Sequence, residues 1–201
     1  NWTDHAPTAI TGEVTLEAGK SYDLKLEYYE SKIGAVAKLA WQPPTVSLES
    51  RYAEAVKVAR EADAVVMGLG LSSQLEGEEM NVREAGFLGG DRTDIALPER
   101  QQKLLEAVVA TGKPVVLVLL NGSALAVNWA NQHVPAIVEA WYPGATGGDA
   151  VADVLFGDYN PSGRLPVTFY RDTTQLPPFS QYEMTGRTYR YFRGEPVYAF
   201  G

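Results

Sequence analysis

Three glutamates, Glu76, Glu78 and Glu79, fall within four positions on an acidic, glycine-punctuated stretch covering residues 71–97. Carboxyl groups crowded in this way disfavour one another's charge, so one of them is expected to keep its proton and serve as a general acid. Gly77, Gly86, Gly89 and Gly90 permit backbone angles that other residues avoid. A compact domain rarely keeps about 27 residues without regular structure unless they bind, move or do chemistry. The bland alternative is a solvated acidic loop. The apolar run directly before the stretch, which reads as a buried strand, favours chemistry.

Further candidates are fewer. Asp91 and Arg92 close the acidic stretch and serve either to fix the loop through an ion pair or to touch a substrate. Trp141 and Tyr142 lie at the end of a predicted strand, before Pro143 and Gly144, where aromatic rings could stack on a sugar face. Trp41 and Trp129 read as core or interface residues. Gly68 and Gly70 invite a dinucleotide reading, but the third glycine of that fingerprint would fall at Ser73. Residues 110–113 lack the upstream glycine of a phosphate loop and sit at a helix end. Asn121, Gly122 and Ser123 fit a turn with a helix cap better than a nucleophile elbow. His133, before Val134 and Pro135, is taken as incidental.

Composition narrows the classes. The 201 residues carry a formal charge of −8 and no cysteine, with His5 and His133 as the two histidines. Nucleic acid is therefore not an expected partner, because that affinity depends on Lys and Arg clusters. No cysteine means no disulfide, no thiolate nucleophile and no Cys-ligated zinc; neither a metal nor a cofactor is expected. The longest apolar stretches, residues 64–71 and 114–120, are strand-sized, so no membrane partner is expected either. Without an initiator Met or a signal-like leader, Asn1 is expected to begin inside a longer polypeptide.

These residues need a scaffold. Between Glu13 and Trp41 the apolar residues Tyr22, Leu24, Leu26 and Tyr28 alternate with polar ones, after a turn at residues 17–20, which predicts a short antiparallel β unit with one buried face. Residues 42–44, Gln-Pro-Pro, read as a linker. Beyond them the pattern alternates: helix around residues 52–59 with Ser47 or Ser50 as cap, strand 64–69, helix from Pro98 to Gly112, strand 115–120. It continues as helix 123–131, strand 136–141, helix 147–156 and strand 165–170. Such repetition predicts an α/β fold, a mostly parallel sheet with helices on both faces, and a ligand site at the carboxyl ends of the strands. The aromatic tail after Tyr170 is expected to wrap the surface.

The segments LEGEEM (residues 75–80), GFLGGDRTDIALPERQ (86–101), GKPVVLVLLNGSALAVNWA (112–130), EAWYPGATGGDAVADVLFGDYNPSGRLPVTF (139–169) and TYRYF (188–192) resemble the C-terminal α/β sandwich domain of family 3 glycoside hydrolases. Residues 1–43, with NWTDHA, EAGKSYDLKLEYYES and LAWQPP, resemble the last part of a PA14 domain, and residues 44–201 the sandwich. The resemblance implies a retaining exo-β-glucosidase that removes terminal non-reducing β-D-glucosyl residues from β-linked oligosaccharides or aryl glycosides. It implies Glu78 as the acid/base, with Glu76 and Glu79 left open, and Asp91, Arg92, Trp141 and Tyr142 as substrate contacts. The nucleophile would come from an N-terminal (β/α)8 barrel of the same parent protein, together with the remainder of the PA14 domain. The chain by itself is then expected not to turn over substrate. A β-xylosidase of the same family and a non-catalytic carbohydrate-binding module are the alternatives. A periplasmic or secreted location is expected over a cytoplasmic one.

Overall fold

Ser47 starts the regular structure: its hydroxyl accepts the Ser50 amide at 3.1 Å and caps helix α1, Leu48–Glu61. Strand β1, Val65–Gly70, follows, then the acidic segment with two short strands, β2 (Phe87–Leu88) and β3 (Asp91–Arg92). Helix α2, Glu99–Val109, begins after Pro98, whose fixed φ suits a helix start, and Gly112 at φ 77° ends that turn. The remainder is β4 (Val115–Leu120), α3 (Asn128–His133), β5 (Ala136–Glu139), α4 (Gly147–Phe156), a 3₁₀ turn at Thr173–Gln175 and α5 (Thr188–Tyr191). This computed structural model describes residues 3–5, 8–31, 34, 36–41 and 47–201, and the chain divides into two units, Asn1–Thr45 and Val46–Gly201.

In the second unit the main sheet has the order β1-β4-β5 and both pairings are parallel. Val65 lies opposite Val115 and Gly70 opposite Leu120, while Leu119 lies opposite Glu139. The run VVLVLL makes β4 the central strand: Val115, Leu117, Val118 and Leu119 are all buried, as a strand covered on both faces demands. Helix α2 packs on β1 and α1 on α2, burying Leu105 and Val108. Each such side chain contributes about 1.5–3 kcal/mol. At the end of β1, Gly70 sits at φ 133°, and a Cβ there would lie 2.0 Å from the Leu120 carbonyl oxygen, so only glycine lets the two strands stay paired. The Gln101 side chain clamps that position, accepting the Gly70 amide and donating to its carbonyl, each at 2.7 Å.

The mostly parallel α/β sheet matches the sequence reading; several boundaries do not. Helices on both faces are incomplete at β1, where Val66 is 56% exposed. The helix predicted over residues 123–131 starts only at Asn128, because the Ala126 amide bonds the Ile95 carbonyl at 2.8 Å and Ala126 bridges Ala96. Leu125 and Val127, the alternate residues there, are buried. Residues 165–170 do not form a sheet strand. Pro166 offers no amide, and the segment meets the tail through a single bridge, Phe169 with Tyr198, beside bonds from the Val197 amide to the Phe169 carbonyl at 2.7 Å and from the Gly201 amide to the Leu165 carbonyl at 2.9 Å.

In the first unit the turn at residues 17–20 is present, with the Lys20 amide on the Glu17 carbonyl at 3.2 Å and Gly19 at φ 80°. The antiparallel β unit predicted between Glu13 and Trp41 is absent from the described residues, and Tyr22, Leu24, Leu26 and Tyr28 are exposed. Two or three strands with one apolar face need something to bury it against. The antiparallel pairing that does occur lies instead inside the acidic segment, between β2 and β3. The linker at residues 42–44 lies outside the described residues.

Candidate active site

Because β1, β4 and β5 run parallel, their carboxyl ends share one edge, and the segments leaving them meet there. After β1 the chain turns at once: the Leu75 and Glu76 amides both bond the Ser72 carbonyl, at 2.9 and 3.0 Å. This places the Glu76 carboxylate over the end of β4. The Gly122 amide donates to its Oε2 at 3.0 Å, the Ser123 hydroxyl donates to Oε1, and from the end of β5 the Tyr142 hydroxyl donates to Oε2 at 2.6 Å. Gly122 has to be glycine, since a Cβ would stand 2.7 Å from the Tyr142 ring and 3.2 Å from Glu76 Oε2.

Arg92 completes the cluster from β3. Its Nη1 is 3.8 Å from Glu76 Oε1 and 3.2 Å from Ser123 Oγ, while Nε and Nη2 donate to the carbonyls of Asp94 and Ala96 at 2.8 and 3.2 Å. The guanidinium also lies over the Phe87 ring, 5.2 Å from its centroid. Only 13% of the Glu76 side chain and 11% of the Arg92 side chain remain exposed, so both are structural ties more than open ligand contacts. Burial works against the Glu76 charge. The hydrogen bonds from Ser123, Tyr142 and Gly122, with the Arg92 charge, outweigh it and hold this carboxyl below the ordinary carboxylate range. Burial, and then the neighbouring Glu76, push the Tyr142 phenol far up. Near neutral pH Glu76 is thus held as the anion.

The same cluster shapes the loop beyond it. Phe87 pairs with Arg92 and Leu88 with Asp91 around a two-residue turn, Gly89 and Gly90, both at positive φ as a type I′ hairpin turn requires. The residues following Glu76 fold onto this tip: the Met80 amide bonds the Gly89 carbonyl at 2.8 Å, and the Gly77 carbonyl oxygen stands 1.7 Å from where a Gly90 Cβ would be. Between these two fixed points Glu78 and Glu79 are exposed. Asp91 is exposed on β3, and the Trp141 ring packs edge-on against buried Phe169, 5.9 Å between centroids. The structure therefore brings Glu76, Arg92 and Tyr142 together; Gly122 and Ser123, read from sequence as a turn and helix cap, belong with them. Their place directly after a central strand was the signal.

Two outcomes follow from this geometry. Glu76→Gln keeps the shape but turns an NH₂ on the two donors that faced one carboxylate oxygen, and should cost about 1–3 kcal/mol near neutral pH by denaturant unfolding. Since the folded pKa lies below the unfolded one, the contribution is full above the ordinary carboxyl value of about 4.3 and disappears as pH falls through the folded value. The gap between wild type and variant should accordingly narrow in acid; a gap independent of pH would contradict the anionic assignment. Glu79, at φ 48°, occupies the left-handed region. Glu79→Gly should raise stability by roughly 0.5–1 kcal/mol, the relief of that conformation less the extra freedom glycine has when unfolded. A lower melting temperature would mean that the Glu79 side chain contributes more than its backbone costs.

The chain as a whole is similar to known proteins. The family described as Glycosyl hydrolase family 3 C-terminal domain matches residues 4–201, across the boundary between the two units. A xylan 1,4-beta-xylosidase from Xylanibacter ruminicola is 45% identical over 186 residues, covering 92% of this chain and 21% of that protein. A periplasmic beta-glucosidase from Salmonella typhimurium is 43% identical over 160 residues, covering 74% of this chain and 20% of its own length. Among solved structures, the β-glucosidase EmGH1 from Erythrobacter marinus superposes with a TM-score of 0.62 at 42% identity, covering 76% of this chain and 20% of the other. The chain thus spans about a fifth of the length of the relatives it matches. The parallel sheet, the loops at its strand ends and these matches together show that the chain belongs to the C-terminal domain family of family 3 glycosyl hydrolases.

Proposed function

We propose that this chain supplies the acid/base half of a retaining exo-β-glycosidase acting on terminal non-reducing β-D-glucosyl residues of oligosaccharides or aryl glycosides, with Glu78 as the acid/base. The observation that carries the reading is the division of labour in the acidic loop. Glu76 is spent on four partners as an anion, and Glu78, two residues on, projects from a backbone held at both ends. Retention needs two carboxyls about 5 to 5.5 Å apart. Glu78 would protonate the glycosidic oxygen as a carboxylate attacks the anomeric carbon, and would then take a proton from the water that releases the sugar. The attacking carboxylate belongs to a (β/α)8 barrel outside this chain, so the 201 residues alone are inactive. Asp91 and Tyr142 border the aglycone side, and residues 1–43 are the end of a PA14 domain. A periplasmic or secreted location belongs to the same proposal, supported by the name of the Salmonella relative; among the described residues no helix is long and apolar enough to cross a membrane.

A β-xylosidase is the second reading, favoured by the xylan 1,4-beta-xylosidase match that runs over 92% of the chain. Both sugars share this half of the site, and the barrel would choose between them. Initial rates of the complete polypeptide on nitrophenyl β-D-glucoside and β-D-xyloside decide the sugar. Release from neither, with tight cellobiose binding by the 201-residue chain, would overturn the enzymatic reading in favour of a carbohydrate-binding module.

A further inference from the structure

Glu139, the last residue of β5, is a half-buried acid that no step above uses. Its Oε1 accepts the Trp141 amide at 3.1 Å, and its Oε2 is buried without a hydrogen-bond partner. Facing it is Asn121, at the end of β4 and 0% exposed. The Asn121 Nδ2 is committed to the Ser123 carbonyl at 2.9 Å, which fixes the amide's orientation and leaves Oδ1 buried with no partner either. Two unsatisfied buried oxygens on adjoining side chains are costly, and a single proton between them removes both deficits.

We infer that Glu139 is a positioning residue that works as a neutral acid: its Oε2 hydrogen goes to Asn121 Oδ1 while Oε1 takes the Trp141 amide, tying the ends of β4 and β5 and fixing the turn that lays Tyr142 on Glu76. The turn needs such a tie. Trp141 sits at φ 53°, a left-handed conformation that a bulky residue adopts only when its surroundings impose it. The next residue is Tyr142, whose hydroxyl reaches Glu76, so a loosened Trp141 would withdraw one of the partners that hold the acidic loop.

The surroundings keep the acid neutral. Glu139 lines a cavity of about 380 Å³ with Leu119, Ile137, Leu165, Phe169, Asn131 and Tyr198. None of these is charged. The other titratable group, Tyr198, donates to Asn131 at 2.8 Å and is itself pushed up by burial. Burial likewise raises the Glu139 carboxyl to about 7, against the pull of the Trp141 amide that donates to it. For an acid raised on folding, the contribution is full below the unfolded value of about 4.3 and is lost as pH climbs through the folded one. The tie should therefore weaken between mildly acidic and mildly alkaline pH.

Infrared spectra of the 201-residue chain test this without reference to catalysis. At pH 6 the wild type should show the carbonyl stretch of one buried, un-ionised carboxylic acid that disappears by pH 9, and Glu139→Gln should lack it. Tryptophan emission should change with a midpoint near neutrality in the wild type and stay flat in Glu139→Gln. Glutamine can make both hydrogen bonds, so that variant should fold as well as the wild type at pH 6 and better at pH 9. Absence of the acid band, an equal band in the variant, or failure of Glu139→Gln to fold would each overturn the inference. None of these readouts depends on whether Glu78 is the acid/base.

Discussion

Glu78→Ala should slow the complete polypeptide by about 10²–10⁴-fold on glycosides whose leaving oxygen needs a proton, while barely affecting the first step on activated aryl glycosides. The asymmetry follows from the chemistry. A nitrophenolate departs without protonation, so removing the acid leaves glycosylation intact and moves the loss to the second step, where a base must activate water. Azide needs no such base, and adding it should restore turnover of the activated substrate while forming a glycosyl azide of retained configuration. The same three measurements on Glu76→Ala should look different: a general loss on every substrate with no azide rescue, because that anion holds the loop through Gly122, Ser123, Tyr142 and Arg92. Equal losses on both substrate types for Glu78→Ala would reject its role, and rescue of Glu76→Ala by azide would transfer the role to Glu76.

The second large effect is on the loop's own packing. A Gly90→Ala methyl would fall 1.7 Å from the Gly77 carbonyl oxygen and 2.7 Å from its carbon, both backbone atoms that cannot rotate aside. Gly89 is a built-in control, since it also has positive φ, 63°, but a Cβ there meets nothing within 4 Å. Gly89→Ala should show the conformational penalty alone, about 1–2 kcal/mol. Gly90→Ala should show that plus the overlap, about 2–5 kcal/mol in all, relieved in practice by detachment of residues 77–80 from the hairpin. Amide exchange at Met80, whose hydrogen bond to Gly89 spans that contact, should rise sharply in Gly90→Ala and much less in Gly89→Ala. Activity should fall in parallel with Glu78→Ala although the Glu78 side chain is untouched. Equal exchange at Met80 in the two variants would refute the close-approach account.

What sequence could and could not reveal follows from the range of the forces involved. Helices α1, α2 and α4 and the three parallel strands were legible because their signals are local: the Ser47 cap, Pro98 before α2 and Gly112 after it, the unbroken VVLVLL of β4. The stretch at residues 123–131 misread because a distant partner intervened: the Ile95 carbonyl captures Ala126 and delays α3 to Asn128. Residues 165–170 carry a strand-like pattern, but their partner is Tyr198 in a tail without period. The acidic loop announced itself through its glycines and carboxylates. Crowding of like charges did not describe Glu76, whose neighbours are hydrogen-bond donors and a guanidinium supplied from 46, 47 and 66 positions away and from Arg92. Glu139 gave no sequence signal at all, since its interest comes from the orphaned oxygen of Asn121 in another strand's turn.

Glu76, just beyond β1, accepts from residues that follow β4 and β5, the other two strands of the sheet, and this makes the acidic loop a gauge of strand alignment. If β5 slipped by one residue along β4, Tyr142 would travel about 3.3 Å and turn to the opposite side of the sheet. Its phenol would then miss the carboxylate that it now meets at 2.6 Å. A misassembled sheet therefore dislocates the very loop that bears Glu78.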